Sequence, residues 1–199
     1  MPGMGVEIVP QALRDKFTFD EREHASAILA ADFPEEWADL LGCLQSFWLT
    51  RTAILTPGGG RSPIPAEIDG YLQARGWQEQ RFDTRIVVDG VETPSPTHKI
   101  DNFKNHVGVE VEWNNKTEFY DRDLNNFRLL RNLRVLSVGV MITRLSELQK
   151  LFDKLDKGKS YGNSTTHWDK LIPKVDGGGA GGCPLLLVGM GMNCYRSDR

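Results

Sequence analysis

KIDNFKNHVGVEVEWNN, residues 99–115, is the stretch that decides the fold of this chain. Two alternating runs of apolar and polar residues within it predict two adjacent β-strands. Glu110 and Glu112 share one face of the second strand, because side chains along a strand alternate with a period of two. Their neighbours Val109 and Val111 are apolar, which is typical of a face that packs against the core. The stretch therefore predicts two carboxylates side by side on a strand that is anchored in the protein interior.

Asp101 lies on the first of these strands and can be brought beside Glu110 when the two strands pair. Three carboxylates close together repel each other unless a cation lies between them. Mg²⁺ suits such a place, since it prefers oxygen ligands and keeps several of its own waters. The alternative is an amphipathic edge strand whose two glutamates are solvated. Spacing alone leaves both interpretations open.

The segments on either side of this stretch predict an α/β fold with a mixed central sheet flanked by helices. Apolar residues at helical spacing predict helices at 33–50, 66–75, 117–133 and 146–158, and a short one follows Thr165 or Thr166 as N-cap. VEIVP (6–10) predicts an edge strand or arm, and residues 81–92 predict a strand with a turn at Asp89 and Gly90 that joins the following strands in a meander. The apolar runs 134–143 and 184–192 predict buried strands.

The composition is that of an ordinary globular protein of 199 residues, with 40% hydrophobic and 26% charged residues. A net charge of −3 argues against a simple basic nucleic-acid binder. The objection is limited, because a metal-dependent nuclease keeps carboxylates at its centre, and Lys and Arg do cluster within 99–144 and 150–174. Charge therefore leaves a DNA-cutting function open.

The longest apolar runs are shorter than the roughly 20 residues that a bilayer span requires, so we expect no membrane contact, and no signal peptide is recognised. Cys43, Cys183 and Cys194 form no C-x-x-C pair. Three is an odd number, and a chain of this size needs no disulfides to fold, so we expect reduced thiols in a cytoplasmic protein. GGGR (58–61) and VGMGM (188–192) are glycine-rich, but neither completes a phosphate-binding motif.

In motif and in order, residues 60–192 resemble the BglII, BstYI and BamHI type II restriction endonucleases of the PD-(D/E)XK nuclease superfamily. The motif is Asp, eight intervening residues and Glu-x-Glu, here Asp101, Glu110 and Glu112. SPIPAEIDGYLQARGW, RVLSVGVMIT, STTHWDKL and PLLLVGMG fall where that family has a helix, a strand, a late helix and a last strand. The resemblance implies a PD-(D/E)XK core in one endonuclease domain, 1–199, although residues 1–55 are not matched.

The resemblance also implies roles for individual residues. Asp101 and Glu110 would bind Mg²⁺ together with the backbone carbonyl of Val111. Glu112 stands where most of the superfamily has Lys, and would orient or deprotonate the attacking water or bind a second metal. Glu67 is a further catalytic candidate on the preceding helix, where the family supplies an acidic or amide group; a solvated helix glutamate is the equal alternative. The implied reaction is attack of metal-activated water on a phosphodiester of double-stranded DNA.

Two polar segments are candidates for DNA recognition. Asn114, Asn115 and Lys116 follow the carboxylates, in the segment that enters the major groove in the resembling enzymes. Asn can pair with adenine N6 and N7, and Lys can donate to guanine; a plain turn is the alternative. The second candidate is a run near the start of a helix, where free N–H groups suit phosphates or bases, unless the run serves only to cap that helix. This run comprises Asn163, Ser164, Thr165, Thr166 and His167.

The resemblance finally implies a homodimer, because a two-fold axis matches a palindromic DNA site. We expect helix 117–133 at the interface, since its apolar positions exceed those of one amphipathic stripe. The resembling enzymes share a GATC centre, leave 5′ overhangs and work beside a DNA methyltransferase that modifies the same site. The alternatives are a mismatch-repair nicking nuclease or a methylation-dependent nuclease with the same core, and a catalytically inactive DNA-binding module.

Overall fold

The computed structural model describes residues 5–56, 62–95 and 97–198, so the GGGR segment (58–61) lies outside the described residues. Its frame is a six-stranded mixed sheet. In spatial order the strands are β1 (Phe17–Arg22), β9 (Leu185–Met190), β8 (Val138–Arg144), β7 (Val107–Glu112), β6 (Ile100–Lys104) and β3 (Gln78–Gln80). The three central strands β7, β8 and β9 run parallel, and the outer strands pair antiparallel with them or with each other.

Helices cover both faces of this sheet, as the sequence predicted. On one face lie α6 (Glu118–Asn132) and α8 (Trp168–Asp176), which pack over Met141 and Leu187. The opposite face is covered by the remaining helices, which pack over Val109 and Val140. These are α1 (Gln11–Lys16), α2 (Ala25–Asp32), α3 (Pro34–Ser46), α4 (Arg51–Leu55), α5 (Pro63–Gln73) and α7 (Gln149–Lys154). Every residue of β8 is buried, which confirms the prediction of a central strand covered on both sides.

Of the two alternatives predicted for residues 6–10, the edge strand does not form. Val6–Ile8 is a 3-10 turn, and Pro10, which lacks an N–H for strand pairing, follows two residues later. The edge strand on this side is β1, whose alternation is obscured by the charged run Asp20, Glu21 and Arg22. The helix expected at 33–50 ends at Ser46, after which β2 (Leu49–Thr50) pairs in parallel with β10 (Tyr195–Arg196).

The predicted turn at Asp89 and Gly90 is confirmed, since both residues have positive φ angles, but the meander is not continuous. β4 (Arg85–Val88) and β5 (Val91–Pro94) pair only with each other, as a separate two-stranded ribbon. The base of the ribbon is closed by hydrogen bonds between Phe82 and Thr97, so the ribbon leaves the sheet and β3 becomes the neighbour of β6. Local alternation identified the strands but could not reveal their pairing.

The helix predicted at 117–133 forms as α6. Among the described residues, its only exposed large apolar side chain is that of Leu133, which directly follows α6, and its place at a dimer interface stays a prediction. Helix α8 begins after His167, which has extended backbone angles and makes no side-chain capping bond, so neither Thr165 nor Thr166 is the N-cap.

The three cysteines are buried and unpaired, in agreement with reduced thiols. None of the helices in the described parts of the chain is long and apolar enough to cross a membrane.

Candidate active site

The site lies where β6 and β7 separate. Their ladder runs from the Lys104–Val107 pair to the Asn102–Val109 pair and stops there, one position before Asp101 and Glu110. Glu110 remains held on its other side, because β7 stays paired with β8 as far as Glu112. The structure therefore brings Asp101 beside Glu110 at the point where the sheet opens, as the sequence predicted.

Glu110 and Glu112 are almost fully withdrawn from solvent, with 1% and 2% of their surfaces exposed. Burial, followed by the charges of Asp123, Asp101 and Glu112, raises the pKa of Glu110 well above its ordinary value. Burial and then Asp123 raise the pKa of Glu112 to about 9, although Asn115 and Arg122 act in the opposite direction. The solvated-strand alternative is excluded for the two glutamates, because both lie in the interior.

Asp123, on α6, is a fourth member of this carboxylate cluster that sequence analysis missed. It is fully buried, and burial raises its pKa, while the adjacent Arg122 opposes that shift. Arg122 donates from Nε to Asp123 Oδ1 at 2.7 Å and approaches Glu112 Oε1 with Nη2 at 3.4 Å. A signal existed, because Asp123 falls on the buried helix face between Tyr120 and Phe127, where an apolar residue is expected.

A chain of hydroxyl groups fixes the end of β7. Thr143 donates from Oγ1 to the backbone carbonyl of Glu112 at 2.8 Å, and the Tyr120 hydroxyl lies 2.6 Å from the same Oγ1. Because the Thr143 hydroxyl has only one hydrogen, Tyr120 must be the donor to Thr143. This chain ties β8 and α6 to Glu112, so the carboxylate sits on a rigid support.

Next to the carboxylates lies a cleft of about 720 Å³. Its walls include Asp101 and Val111 from the predicted metal site, and Asn114 and Asn115 from the first predicted recognition segment. The remaining walls are Thr56, Ser62, Pro65, Asp69, Glu79, Trp113, Lys157, Ser160 and Tyr161. The polar lining suits a hydrated, charged ligand rather than an apolar one.

Helix α5 presents Asp69, rather than Glu67, to this cleft. Asp69 is buried and accepts from Asn102 Nδ2 at 2.5 Å, so it is joined to β6 next to Asp101. Glu67 is exposed, lies outside the cleft, and has Lys16 as the charge that acts on its pKa, which partial burial raises. The acidic side chain with which α5 lines the cleft is therefore Asp69, two positions beyond the predicted Glu67.

The two predicted recognition segments form one surface. Thr166 donates its backbone N–H to the Asn115 carbonyl at 2.9 Å, and its Oγ1 accepts from the Asn115 N–H at 3.1 Å. Lys116 and Thr165 add an isolated β-bridge. Asn115 donates from Nδ2 to Glu112 Oε2 at 2.8 Å, so this surface is connected directly to the carboxylates.

Within this surface some side chains hold the structure and others face outward. Thr166 and His167 are buried, and burial, then the cations Arg144 and Lys170, lower the pKa of His167. Lys116, Asn163 and Ser164 are exposed, while Thr165 is half-buried. Outward side chains are the ones available to a ligand, so the segment combines support with contact groups.

Arg144, at the end of β8, is a second residue that sequence analysis missed. Its side chain is fully buried, and its Nη2 lies within 3.2 Å of the carbonyl oxygens of Tyr161 and Gly162 and 3.1 Å from Thr165 Oγ1. Three oxygen partners from one loop mean that Arg144 positions residues 161–165 against the cleft. No sequence pattern signals this role, because two of the three partners are backbone carbonyls and all three lie 17 to 21 residues away in a loop.

The donor set available to a metal consists of oxygens. In the described ranges, no three His, Cys, Asp or Glu side chains are placed so that they could hold a metal ion among themselves. The predicted set of two carboxylates and one backbone carbonyl does not require three, and Mg²⁺ commonly binds through one or two carboxylates and keeps waters. Glu110 Oε1 and Asp123 Oδ2 are buried and have no hydrogen-bond partner among the described residues. Such oxygens fit a place that a hard cation completes.

The sequence of the chain matches one known protein family. A family model described as Restriction endonuclease BglII/BglIII matches residues 17–190. The matched range begins at β1 and ends with β9, so it contains the whole six-stranded sheet, the carboxylate cluster and the two predicted recognition segments. A search of curated proteins found no match to the chain.

Proposed function

Since the chain belongs to the BglII/BglIII family of restriction endonucleases and is a type II site-specific deoxyribonuclease, we propose that it cuts a short palindrome in a Mg²⁺-dependent reaction. The proposed site has a GATC centre, and the cut leaves 5′ overhangs. We further propose a PD-(D/E)XK core, a homodimer with one active site per strand, and a cytoplasmic restriction-modification role beside a methyltransferase of the same specificity.

One observation carries the proposal: Glu110 is buried beside Asp101, and its Oε1 has no partner among the described residues. A carboxylate in the interior is expensive unless a cation pairs with it. Asp101, Glu110 and the backbone carbonyl of Val111 would hold Mg²⁺ at the edge of the cleft. When bound, the metal would lower the pKa of water and stabilise the oxygen that leaves.

The chain's own residues would do the remaining work. Glu112 would orient the attacking water, because it lies two residues beyond Glu110 on the same face of β7. Asp69, in place of Glu67, would hold water at the cleft wall next to Asp101. The recognition surface would then place the scissile phosphate, because Asn115 joins the base-reading segment to Glu112.

The test is digestion of unmethylated plasmid DNA with and without Mg²⁺, followed by sequencing of the fragment ends. We expect discrete fragments with 5′ overhangs around GATC, and none in EDTA. Asp101→Ala and Glu110→Ala should each slow cleavage more than about 100-fold, roughly 3 kcal/mol of barrier. Binding of the intact duplex in Ca²⁺ should persist in both variants.

The matched control is Glu35→Ala, which removes an exposed carboxylate in the first turn of α3. It should cut at the wild-type rate. Residual cleavage above one part in about 100 for Glu110→Ala would exclude a metal-ligand role for that residue. A protein that is monomeric on DNA and leaves only nicks would favour the mismatch-repair type of enzyme, and one that binds but never cuts would be an inactive module.

A further inference from the structure

Arg122 is the only cationic side chain that forms ion pairs with the buried carboxylate cluster among the described residues. Its Nε donates to Asp123 Oδ1 at 2.7 Å, and the longer 3.4 Å contact reaches Glu112. The guanidinium carbon lies 4.1 Å from the centre of the Phe119 ring. Arg122 is therefore fixed by a carboxylate on one side and an aromatic ring on the other.

The guanidinium group of Arg122 is held in place, but the contacts above do not occupy all of its N–H groups. A guanidinium carries five N–H groups, and the contacts described above use only Nε and Nη2. Its side chain is 30% exposed, in contrast to the carboxylates beside it. Part of the Arg122 side chain is therefore open to solvent next to a cluster whose other members are acidic.

Asp123 is a carboxylate in an interior position that apolar side chains usually occupy. It is fully buried, and its Oδ2 has no partner among the described residues. A buried ion pair rarely stabilises a fold more than apolar residues of the same size would. A carboxylate kept there at a cost to stability points to a requirement of function, namely the orientation of the arginine that it binds.

We propose that Arg122 donates hydrogen bonds to the phosphate group that is cut, and that Asp123 is the positioning residue that aims Arg122 at it. The proposal rests on the proposed function, since it requires a phosphodiester at Glu110 and Glu112. A planar guanidinium matches two phosphate oxygens at once, and negative charge grows on such oxygens as the bond breaks. A donor that is already in place stabilises that charge without reorganisation.

The rival role for Arg122 is that of a mere counter-ion, which neutralises the carboxylates until a metal enters. The two roles predict opposite results. As a phosphate donor, Arg122 accelerates cleavage at saturating metal. As a counter-ion, it competes with the metal, so its removal tightens metal binding and leaves the saturated rate unchanged or higher.

The experiment starts from a preformed complex of enzyme and cognate duplex, with single-turnover cleavage begun by Mg²⁺. Arg122→Gln should be slower by about 100-fold, the usual loss for one preorganised donor. Arg122→Lys should recover part of this loss, because it keeps the charge but not the fork. Asp123→Asn should be slowed less than Arg122→Gln, and the double variant should be no slower than Arg122→Gln alone, since Asp123 acts through Arg122.

Two readouts without turnover complete the experiment: duplex affinity in Ca²⁺, and Tb³⁺ affinity from luminescence excited through tryptophan. Both should change far less than the cleavage rate in Arg122→Gln. The control is Arg128→Gln, on the exposed face of the same helix, which should behave as wild type. Thermal unfolding verifies that each variant is folded.

A folded Arg122→Gln protein that cuts as fast as wild type and binds Tb³⁺ more tightly overturns the inference and establishes the counter-ion role. If that variant fails to fold, Arg122→Lys decides, and a folded Lys protein with the wild-type rate overturns the inference as well. A wild-type protein that cuts no DNA overturns the proposed function itself, which is a different outcome from an active wild type with an equally active variant.

Discussion

Strand β7 and the ribbon formed by β4 and β5 invert the usual relation between polarity and burial. All six residues of β7 are buried, including Glu110 and Glu112. Every residue of β4 and β5 is exposed, including Ile86, Val88 and Val91, which share one face of the ribbon. The two places differ in support, because β7 has partners in the sheet and helices on both faces, whereas the ribbon has only its own hydrogen bonds. A fold can hold ionisable groups in its interior only where the surrounding elements fix them.

The contrast between β7 and the ribbon also separates residues that are kept for function from residues that the fold merely tolerates. The buried glutamates depart from the usual exclusion of ionisable side chains from the core, and this costs stability. Residues that depart from such rules concentrate at functional sites. The exposed valines cost little in the folded chain, because apolar atoms make up much of any protein surface. Burial of charge is therefore the stronger indication of function, and the predictions below test each side of this contrast.

The largest effect should appear in the pH dependence of the metal-free protein. The pKa of Glu112 is raised to about 9, and that of Glu110 is also raised, so between about pH 4.5 and 9 the folded state binds more protons than the unfolded state. This contribution to stability is complete below the unfolded pKa and disappears as the pH rises through the folded pKa. The free energy of unfolding should fall by up to about 1.4 kcal/mol per pH unit for each extra proton held.

Thermal unfolding in EDTA between pH 6 and 9 measures this slope. Glu112→Gln should flatten it, because the amide does not titrate, and saturating Mg²⁺ should reduce it in the wild type. Glu35→Gln on the exposed turn of α3 is the matched control and should keep the wild-type slope. Stability that rises with pH over this window would mean that the two glutamates are charged and paired in the metal-free protein.

The core of the fold could be predicted from sequence, because its signals are local. The alternation around Glu110 and the apolar run of β8 indicated central strands. The spacing of Asp101, Glu110 and Glu112, together with the family resemblance, indicated three of the four carboxylates that the structure groups together. Arg144 could not be found in the same way, since its partners are loop residues 17 to 21 positions further along the chain, whereas Asp123 was signalled by its place on the buried face of α6 and was overlooked. The shift from Glu67 to Asp69 is a question of which helix face meets the sheet, and only tertiary packing decides it.

A smaller effect should come from the proposed recognition surface, residues 114–116 and 163–167, which lies between the buried carboxylates and solvent. Asn115→Ala should reduce discrimination between a GATC-centred duplex and singly substituted duplexes by about 1–3 kcal/mol, if its amide reads a base. It should also slow cleavage, since Asn115 donates to Glu112 at 2.8 Å. Asn114→Ala is the comparison, because Asn114 donates to the carbonyl of Ser160 instead.

Binding in Ca²⁺ to each duplex separates the possibilities for Asn115. Loss confined to the cognate duplex supports base reading, and equal loss on every duplex assigns the residue to backbone contact. A variant that binds all duplexes as wild type but cuts slowly would show that Asn115 serves only to hold Glu112.

The smallest effect should be that of Val88→Thr on the ribbon, compared with Val140→Thr in β8. Val88 is 61% exposed and Val140 is fully buried, while both substitutions exchange a methyl group for a hydroxyl in a residue that favours strands. Val140→Thr buries a hydroxyl in an apolar layer and should cost about 1–3 kcal/mol of unfolding free energy. Val88→Thr should stay within about 0.5 kcal/mol, as for other surface substitutions. Urea denaturation of both variants gives the comparison directly. An equal loss of unfolding free energy in the two variants would mean that the apolar face of the ribbon is covered in solution. The two regions would then differ in what covers them and not in whether they are exposed.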